Sequence, residues 1–131
     1  MPRTWHKAPT VCFDMDHVIA TGSVLEVYSE EAGWAYAKCT PVEETVRLMN
    51  DLREAGVKLV IHTARWEEDR EVTEEWLREH EVPYDDLVMG KPSADLYIDD
   101  RNYPAPYLAP QMTATVSDIM YAVKRSRARM K

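Results

Sequence analysis

Two aspartates stand one residue apart where an apolar run ends, in "TVCFDMDHVIATG" at residues 10–22. Carboxylates are rarely buried without a partner, so Asp14 and Asp16 require a cation, a hydrogen-bond donor or a reaction. One carboxylate can take up a phosphoryl group as an aspartyl-phosphate, while a second protonates the leaving alkoxide and then activates water. The spacing therefore predicts that Asp14 and Asp16 divide the steps of a phosphoryl transfer between them.

Further polar residues follow the other apolar runs of the chain. Thr63 and Arg65 come after "VKLVIH", Lys91 follows a short run that ends at Gly90, and "LYI" leads into Asp99 and Asp100. Ligands of an open α/β sheet bind outside the carboxyl ends of its strands, so these residues are expected at one edge. Acids, a hydroxyl and a lysine together are the composition of a Mg²⁺-dependent phosphoryl-transfer site, because cations must neutralise the reacting anions.

Strands and helices are predicted to alternate along the chain. The predicted strands are residues 10–14, 57–65, 87–89, 94–100 and 113–116. The predicted helices are 40–56, with Thr40 and Glu43 as a capping box and Gly56 at the C-cap, 66–80, with Val72, Trp76 and Leu77 facing inward, and 118–130, capped by Ser117. Continuous apolar strands between helices indicate a mainly parallel sheet in a three-layer α/β/α, Rossmann-like fold.

The quoted runs also resemble a known family. "CFDMDHVIA", "IHTAR", "GKP" and "LYIDD" are similar, in order and context, to the four motifs of the haloacid dehalogenase (HAD) superfamily, over residues 10 to about 102. "MGKPSADLYIDDRN" resembles the small capless phosphatases associated with bacterial capsule and surface-sugar biosynthesis. The resemblance implies a HAD core and a phosphatase activity.

The resemblance also implies a role for individual residues. Asp14 matches the nucleophile, Asp16 the general acid/base, Thr63 the phosphate ligand and Lys91 the motif-three lysine. In the family, Mg²⁺ is held by the nucleophile, a backbone carbonyl at the acid/base position and a motif-four aspartate. The implied metal residues are therefore Asp14, Asp16, Asp99 and Asp100.

Two residues near these motifs keep two interpretations each. His17 and Val18 stand where the family most often has Gly-Thr, so His17 either fills that space with a solvated ring or touches the substrate. The fork-shaped side chain of Arg65 either binds a second oxyanion of the substrate or pairs with an acid of the site. His62, inside a strand run, is expected to be a hydrogen-bonded core or loop residue and not a ligand.

The gaps between the motifs are too short for a cap domain, which HAD enzymes often insert there. We expect one domain over residues 1–131, with only a small flap in the 23 residues from 17 to 39. An open site of this kind admits large substrates, and water must be excluded by the substrate or by a neighbouring subunit. Homo-oligomerisation through the flap is left open.

Composition limits the partners. The net charge is −7, but the five basic residues of "KRSRARMK" lie at the end, which leaves residues 1–123 at −12. Such an acidic body disfavours nucleic acid. No run approaches the roughly 18 apolar residues of a membrane helix, and Cys12 is expected to be a small core residue. We expect a cytoplasmic protein without a membrane partner.

Three functions are compatible with these observations. The first is a phosphomonoesterase that acts on a small phosphorylated metabolite, such as a sugar phosphate or a nucleotide. The second is a nucleic-acid 3′-end phosphatase, because "IDDR" at 98–101 resembles the phosphatase domain of phage polynucleotide kinases. The third is a catalytically silent binding protein on the same scaffold, which only His17 favours.

Overall fold

The computed structural model describes residues 8–22, 36–99, 101 and 115–129. These residues fall into two compact units that divide between Pro92 and Ser93, and each unit is described by itself. In the described residues the strands are β1 (Thr10–Phe13), β2 (Ala20–Thr21), β3 (Thr40–Pro41), β4 (Lys58–His62) and β5 (Asp86–Val88). The helices are α1 (Glu43–Glu54), α2 (Arg70–Glu79) and α3 (Val116–Arg129), with a 3-10 turn at Glu67–Asp69.

The first unit is built on a parallel sheet. Its strands lie in the order β1-β4-β5, with Phe13 paired to Ile61 and Ile61 paired to Leu87. The short strands β2 and β3 form a separate antiparallel ribbon. Strand β2 lies within the segment 17–39 that was predicted as a flap and β3 follows it directly, whereas residues 23–35 of that segment lie outside the described residues. Together with the helices this is a small Rossmann-like α/β fold, which confirms the predicted fold class.

Alternation along β4 separates a buried face of the sheet from a more exposed one. Leu59 and Ile61 are fully buried and form the core with Met49 of α1 and with Trp76 and Leu77 of α2. The inward position of Trp76 is thereby confirmed, and its indole nitrogen Nε1 donates to the carbonyl of Cys39 at 2.8 Å. Side chains in between point to the opposite face.

The expectation that Cys12 belongs to the core is wrong. Cys12 is exposed, whereas Cys39 is buried. Cys12 pairs in register with Val60, the residue between the two buried positions of β4, and therefore lies on the face of the sheet opposite Leu59 and Ile61.

Helix α1 ends as predicted but begins differently. Gly56 has a φ of +88°, and the N–H groups of Gly56 and Val57 donate to the carbonyls of Arg53 and Leu52, which is a Schellman motif. Thr40 does not cap the helix, because its backbone pairs with Thr21 in the β2–β3 ribbon. The helix begins at Glu43, after Val42, without a side-chain cap.

The strand predicted for residues 94–100 is not present in the part of this range that the structure describes. Residues 94–99 contain no strand, Tyr97 and Ile98 are exposed, and Asp99 Oδ1 accepts a hydrogen bond from the backbone nitrogen of Arg101 at 2.7 Å. Such a local aspartate contact favours a turn over a strand ladder. Asp100 and residues 113–114 of the fifth predicted strand lie outside the described residues.

Helix α3 begins at Val116, so Val116 does not end a strand and Ser117 is not its cap. The capping box is formed instead by Thr115 and Asp118: Thr115 Oγ1 accepts from the Asp118 nitrogen at 3.2 Å, and Asp118 Oδ2 accepts from the Thr115 nitrogen at 2.9 Å. In the part of the chain that the structure describes, no helix has the length and apolar character needed to span a bilayer.

Candidate active site

The two aspartates of the opening motif lie on a tight turn that follows β1. Asp14 Oδ1 accepts a hydrogen bond from the backbone nitrogen of Met15 at 2.9 Å. Met15 is fully buried, and its carbonyl accepts from the nitrogens of Ile19 and Ala20 at 2.9 and 3.0 Å. The buried methionine between the two acids therefore anchors the turn and places both carboxylates near the carboxyl edge of the sheet.

His17 occupies a backbone conformation that favours glycine. Its φ is +69°, and its N–H donates to the carbonyl of Ala20 at 2.8 Å. The turn requires the positive φ of His17, because the hydrogen bond from His17 to Ala20 closes the turn. A side chain in the left-handed region is strained, so this position favours glycine on physical grounds. The His17 side chain is exposed.

We expect His17→Gly to stabilise the protein by about 0.5–1 kcal/mol, because glycine adopts positive φ without strain. Glu81→Gly is the matched control, since Glu81 also has a positive φ, of +53°, and follows α2 away from the aspartates. Both variants should raise the melting temperature by a few degrees in thermal unfolding. If His17 touches the substrate, only His17→Gly will also change KM. If KM is the same in the wild type and in both variants, the His17 ring only fills space.

Asp16 is engaged by Arg65 through two hydrogen bonds. Arg65 Nε donates to Asp16 Oδ2 at 3.1 Å and Arg65 Nη2 donates to Asp16 Oδ1 at 2.7 Å. The side chain of Arg65 is 1% exposed and that of Asp16 12%. Of the two interpretations of Arg65, this geometry favours pairing with an acid of the site.

The Arg65 guanidinium also contacts Tyr36 and Thr73. Its carbon Cζ lies 3.8 Å from the centroid of the Tyr36 ring, and Nη1 donates to Thr73 Oγ1 at 3.0 Å. Thr73 is fully buried and its hydroxyl donates in turn to the carbonyl of Asp69 at 2.7 Å. Arg65 thus connects the turn after β1 with helix α2 and with the segment before β3.

Thr63 and Lys91 are brought together by their backbones. The Thr63 nitrogen donates to the carbonyl of Val88, and the Lys91 nitrogen donates to the carbonyl of Thr63, both at 2.9 Å. Thr63 is fully buried, and its Oγ1 accepts from the backbone nitrogen of Arg65 at 3.2 Å. The pairing of β4 with β5 therefore continues past the strand ends and fixes Lys91 beside Thr63.

The carboxyl group of Asp14 titrates above its ordinary range. The surrounding protein removes water from this group and raises its pKa above 3.8, although the side chain reaches the surface. The positive charge of Lys91 and the Met15 N–H lower the pKa in part, and the Asp16 carboxylate raises it. Lys91 is thus close enough to stabilise negative charge on Asp14.

His62 belongs to the same edge of the sheet, which the sequence did not indicate. It ends β4, one position past the Phe13–Ile61 pair, and is therefore level with Asp14. Burial and the charge of Lys91 lower the pKa of His62 below 6.5, while Asp14 raises it. The half-buried ring is consistent with the expected structural role.

The predicted metal residues belong to both compact units. Asp14 and Asp16 lie in the first unit, Asp99 lies in the second unit, and Asp100 is outside the described residues. Among residues 8–22, 36–99, 101 and 115–129, no three His, Cys, Asp or Glu side chains converge on a common metal position. The predicted ligand set, which includes Asp100, stays a prediction.

Tyr36 and Thr73 are the residues of the site that sequence reasoning missed. Thr73 lies on the buried face of α2 with Trp76 and Leu77, and this helical spacing was the available signal. Tyr36 lies in a segment without sequence periodicity, and nothing in its neighbourhood indicates an arginine partner 29 positions along the chain.

No protein-family model and no curated protein matches this chain. Among solved structures it is similar to a structural genomics target from Vibrio cholerae, at 22% identity and a TM-score of 0.55, over 89% of this chain and 98% of that one.

The chain is also similar to proteins of the Pnkp1/Rnl/Hen1 RNA repair complex. One match has 20% identity and a TM-score of 0.51 over 70% of this chain; another has 18% and 0.52 over 81%. This chain corresponds to 30% and 31% of those chains. At these identities the likenesses show a shared fold.

Proposed function

We propose that this chain is a Mg²⁺-dependent phosphomonoester hydrolase of the HAD type that acts on a small phosphorylated metabolite, such as a sugar phosphate or a nucleotide. The observation that carries the proposal is the convergence of Asp14, Asp16, Thr63 and Lys91 at the carboxyl edge of the β1-β4-β5 sheet. A nucleophile, a second acid, a hydroxyl and a cation are the groups that the predicted chemistry requires.

Each of these groups has a task in the proposed reaction. Asp14 attacks phosphorus, the bond to the leaving oxygen breaks, and an aspartyl-phosphate forms on Asp14. Asp16 gives a proton to the leaving oxygen and then takes one from the water that hydrolyses the intermediate. Lys91 and the Thr63 hydroxyl hold the transferred phosphoryl oxygens, and the charge of Lys91 offsets the repulsion between the reacting anions.

The donors on the turn suit a hard cation. Carboxylate and carbonyl oxygens are the ligands that Mg²⁺ prefers, and it would supply charge neutralisation at the phosphoryl group. Because Arg65 engages both carboxylate oxygens of Asp16, that residue would offer its backbone carbonyl, beside the carboxylate of Asp14. Asp99 and Asp100 are proposed to complete the set.

A nucleic-acid 3′-end phosphatase is the second candidate. The similarity to chains of the Pnkp1/Rnl/Hen1 RNA repair complex favours it, although the likeness extends to the fold alone. The net charge of −12 over residues 1–123 opposes it, because a polyanion is repelled by an acidic body. We therefore place it after a small-metabolite phosphatase.

A substrate panel with and without Mg²⁺ tests the proposal. Phosphate release should be measured from sugar phosphates, nucleoside monophosphates and a 3′-phosphorylated oligonucleotide. We expect hydrolysis of a small substrate that needs Mg²⁺ and stops in chelator, and Asp99→Ala should raise the Mg²⁺ requirement or remove activity. Preference for the oligonucleotide would favour the second candidate. Full activity in chelator would refute the Mg²⁺ requirement. Absence of phosphate release from every substrate would favour the catalytically silent binding protein.

A further inference from the structure

The buried guanidinium of Arg65 lies against three separate parts of the first unit. Its contacts include Asp16 on the turn after β1, Thr73 on α2 and Tyr36 before β3. We propose that Arg65 is a positioning residue that holds the Asp16 carboxylate in one orientation, and that Tyr36 and Thr73 hold Arg65 in turn. The catalytic part of this inference rests on the proposed function; the structural part does not.

The described contacts restrict rotation of the Arg65 guanidinium. Arg65 is planar and presents donors in a fixed fork, of which Nε and Nη2 face Asp16 while Nη1 faces Thr73. The Tyr36 ring covers one face of the plane. A rotation of the guanidinium would break hydrogen bonds on two sides, so the orientation of the fork, and with it the plane of the Asp16 carboxylate, is fixed.

Burial makes the arrangement costly to disturb. Arg65 is 3% exposed and Tyr36 8%, so water is not available to replace a lost contact. Removal of one partner from a buried ion pair leaves an uncompensated charge, which is strongly destabilising, whereas the intact pair often adds little to stability. Stabilisation of the fold therefore explains the Asp16–Arg65 pair poorly. Asp16 lies one residue from Met15 and two from Asp14, and this position favours a role of Arg65 in orienting the Asp16 carboxylate.

A held carboxylate is still able to exchange protons. Each carboxylate oxygen has two lone-pair directions, and the Arg65 fork uses one on each oxygen of Asp16. The Arg65 fork does not use the other directions, so these can serve a proton that passes to the leaving oxygen or comes from water. With the fork in place these directions are set by the protein, and a displacement of about 1 Å can lower the rate by up to about 100-fold.

A double-mutant cycle tests the structural part without any substrate. Asp16→Asn, Arg65→Met and the double variant are compared by melting temperature in the metal-free protein. Each single variant should lower it by several degrees, and the double variant by clearly less than the sum, because the second change removes the charge that the first left unpaired.

The matched control cycle uses Asp95→Asn and Arg127→Met. This pair has the same two-bond geometry, at 2.9 and 2.8 Å, but its side chains are 39% and 68% exposed. Its losses should be small and close to additive. Additive losses in the Asp16–Arg65 cycle would overturn the proposal.

Catalysis provides the second measurement. Arg65→Lys keeps the charge but loses the fork, and Tyr36→Leu and Thr73→Val remove the supports of Arg65. We expect each variant to lower kcat more for an alkyl phosphate than for an activated aryl phosphate, with KM little changed. In an Asp16→Asn background, Arg65→Lys should no longer affect the alkyl phosphate more than the aryl phosphate. Arg127→Lys is the control that should leave both substrates unaffected.

The outcomes separate the two proposals. Equal kcat losses for both phosphates in Arg65→Lys, while Asp16→Asn discriminates between them, would overturn the positioning role and leave the proposed function intact. If the wild-type protein hydrolyses no phosphate at all, the proposed function fails, and the melting-temperature cycle alone decides whether Arg65 holds Asp16.

Discussion

Asp14→Asn is expected to abolish phosphate release while the protein remains folded. The amide has nearly the same shape as the carboxylate but cannot form an aspartyl-phosphate, so turnover should fall on the order of 10⁴-fold or more. Single-turnover assays with Mg²⁺ and circular dichroism check the two halves of the prediction. Asp86→Asn is the control, because the side chain of Asp86 is 56% exposed and forms an ion pair with Lys58 at 3.0 Å. Near-wild-type activity in Asp14→Asn would remove Asp14 from the nucleophile position.

The same variant should be more heat-stable than the wild type at neutral pH. Burial raises the pKa of Asp14 in the folded protein above 3.8, so the ionised group opposes folding once the pH exceeds its unfolded value. The neutral amide removes this penalty. The gain in melting temperature should be complete above the raised pKa and should disappear as the pH falls below 3.8, where Asp14 is protonated in both states. A constant gain at every pH would contradict the assigned cause.

Asp16→Asn is expected to slow hydrolysis in proportion to the need for a proton on the leaving group. General acid–base catalysis contributes about 10²–10⁴-fold, so a sugar or other alkyl phosphate should lose roughly that factor. An activated aryl phosphate, whose leaving group barely requires a proton, should suffer less in the first step. Slower hydrolysis of the phospho-enzyme would then let the covalent intermediate accumulate, and mass spectrometry of acid-quenched protein would detect it.

Asparagine is the appropriate replacement because of Arg65. Asp16→Ala would leave the buried guanidinium of Arg65 without its carboxylate and would damage the fold as well as the chemistry. The asparagine oxygen still accepts one hydrogen bond from the fork. Equal and modest losses for both leaving groups, with an unchanged pH profile, would make Asp16 a structural residue.

The sequence was informative where one physical signal dominated. The run before Asp14, the run before Thr63 and the run before Gly90 each became a strand of the parallel sheet, because short runs of β-branched and other apolar residues favour extended strands. Gly56 was equally clear, since a helix that ends in a left-handed residue favours glycine.

Local signals were misleading where tertiary pairing competed with them. Thr40 is of a residue type that favours helix N-caps, yet its backbone pairs in the β2–β3 ribbon with Thr21, which lies 19 residues away in the sequence. The run "LYI" looks like a strand, but it lies between Asp95, which pairs with Arg127, and Asp99, which turns the backbone. Helical spacing could have placed Thr73 on the buried face of α2, but its contact with Arg65 and that of Tyr36 were beyond prediction, because no spacing rule relates residues that meet only after the chain has folded.

The backbone hydrogen bond from Lys91 to Thr63 fixes the position of residue 91 whatever side chain that residue carries. The Lys91 nitrogen and the Thr63 carbonyl belong to the main chain, and the preceding Gly90 nitrogen is likewise bonded to the Arg65 carbonyl at 2.9 Å. The attachment point of the side chain is therefore independent of its length and charge. The length of the side chain at position 91 can therefore be varied by itself. Shorter or longer amines introduced there would move the positive charge along one line, while the backbone of the loop keeps its shape.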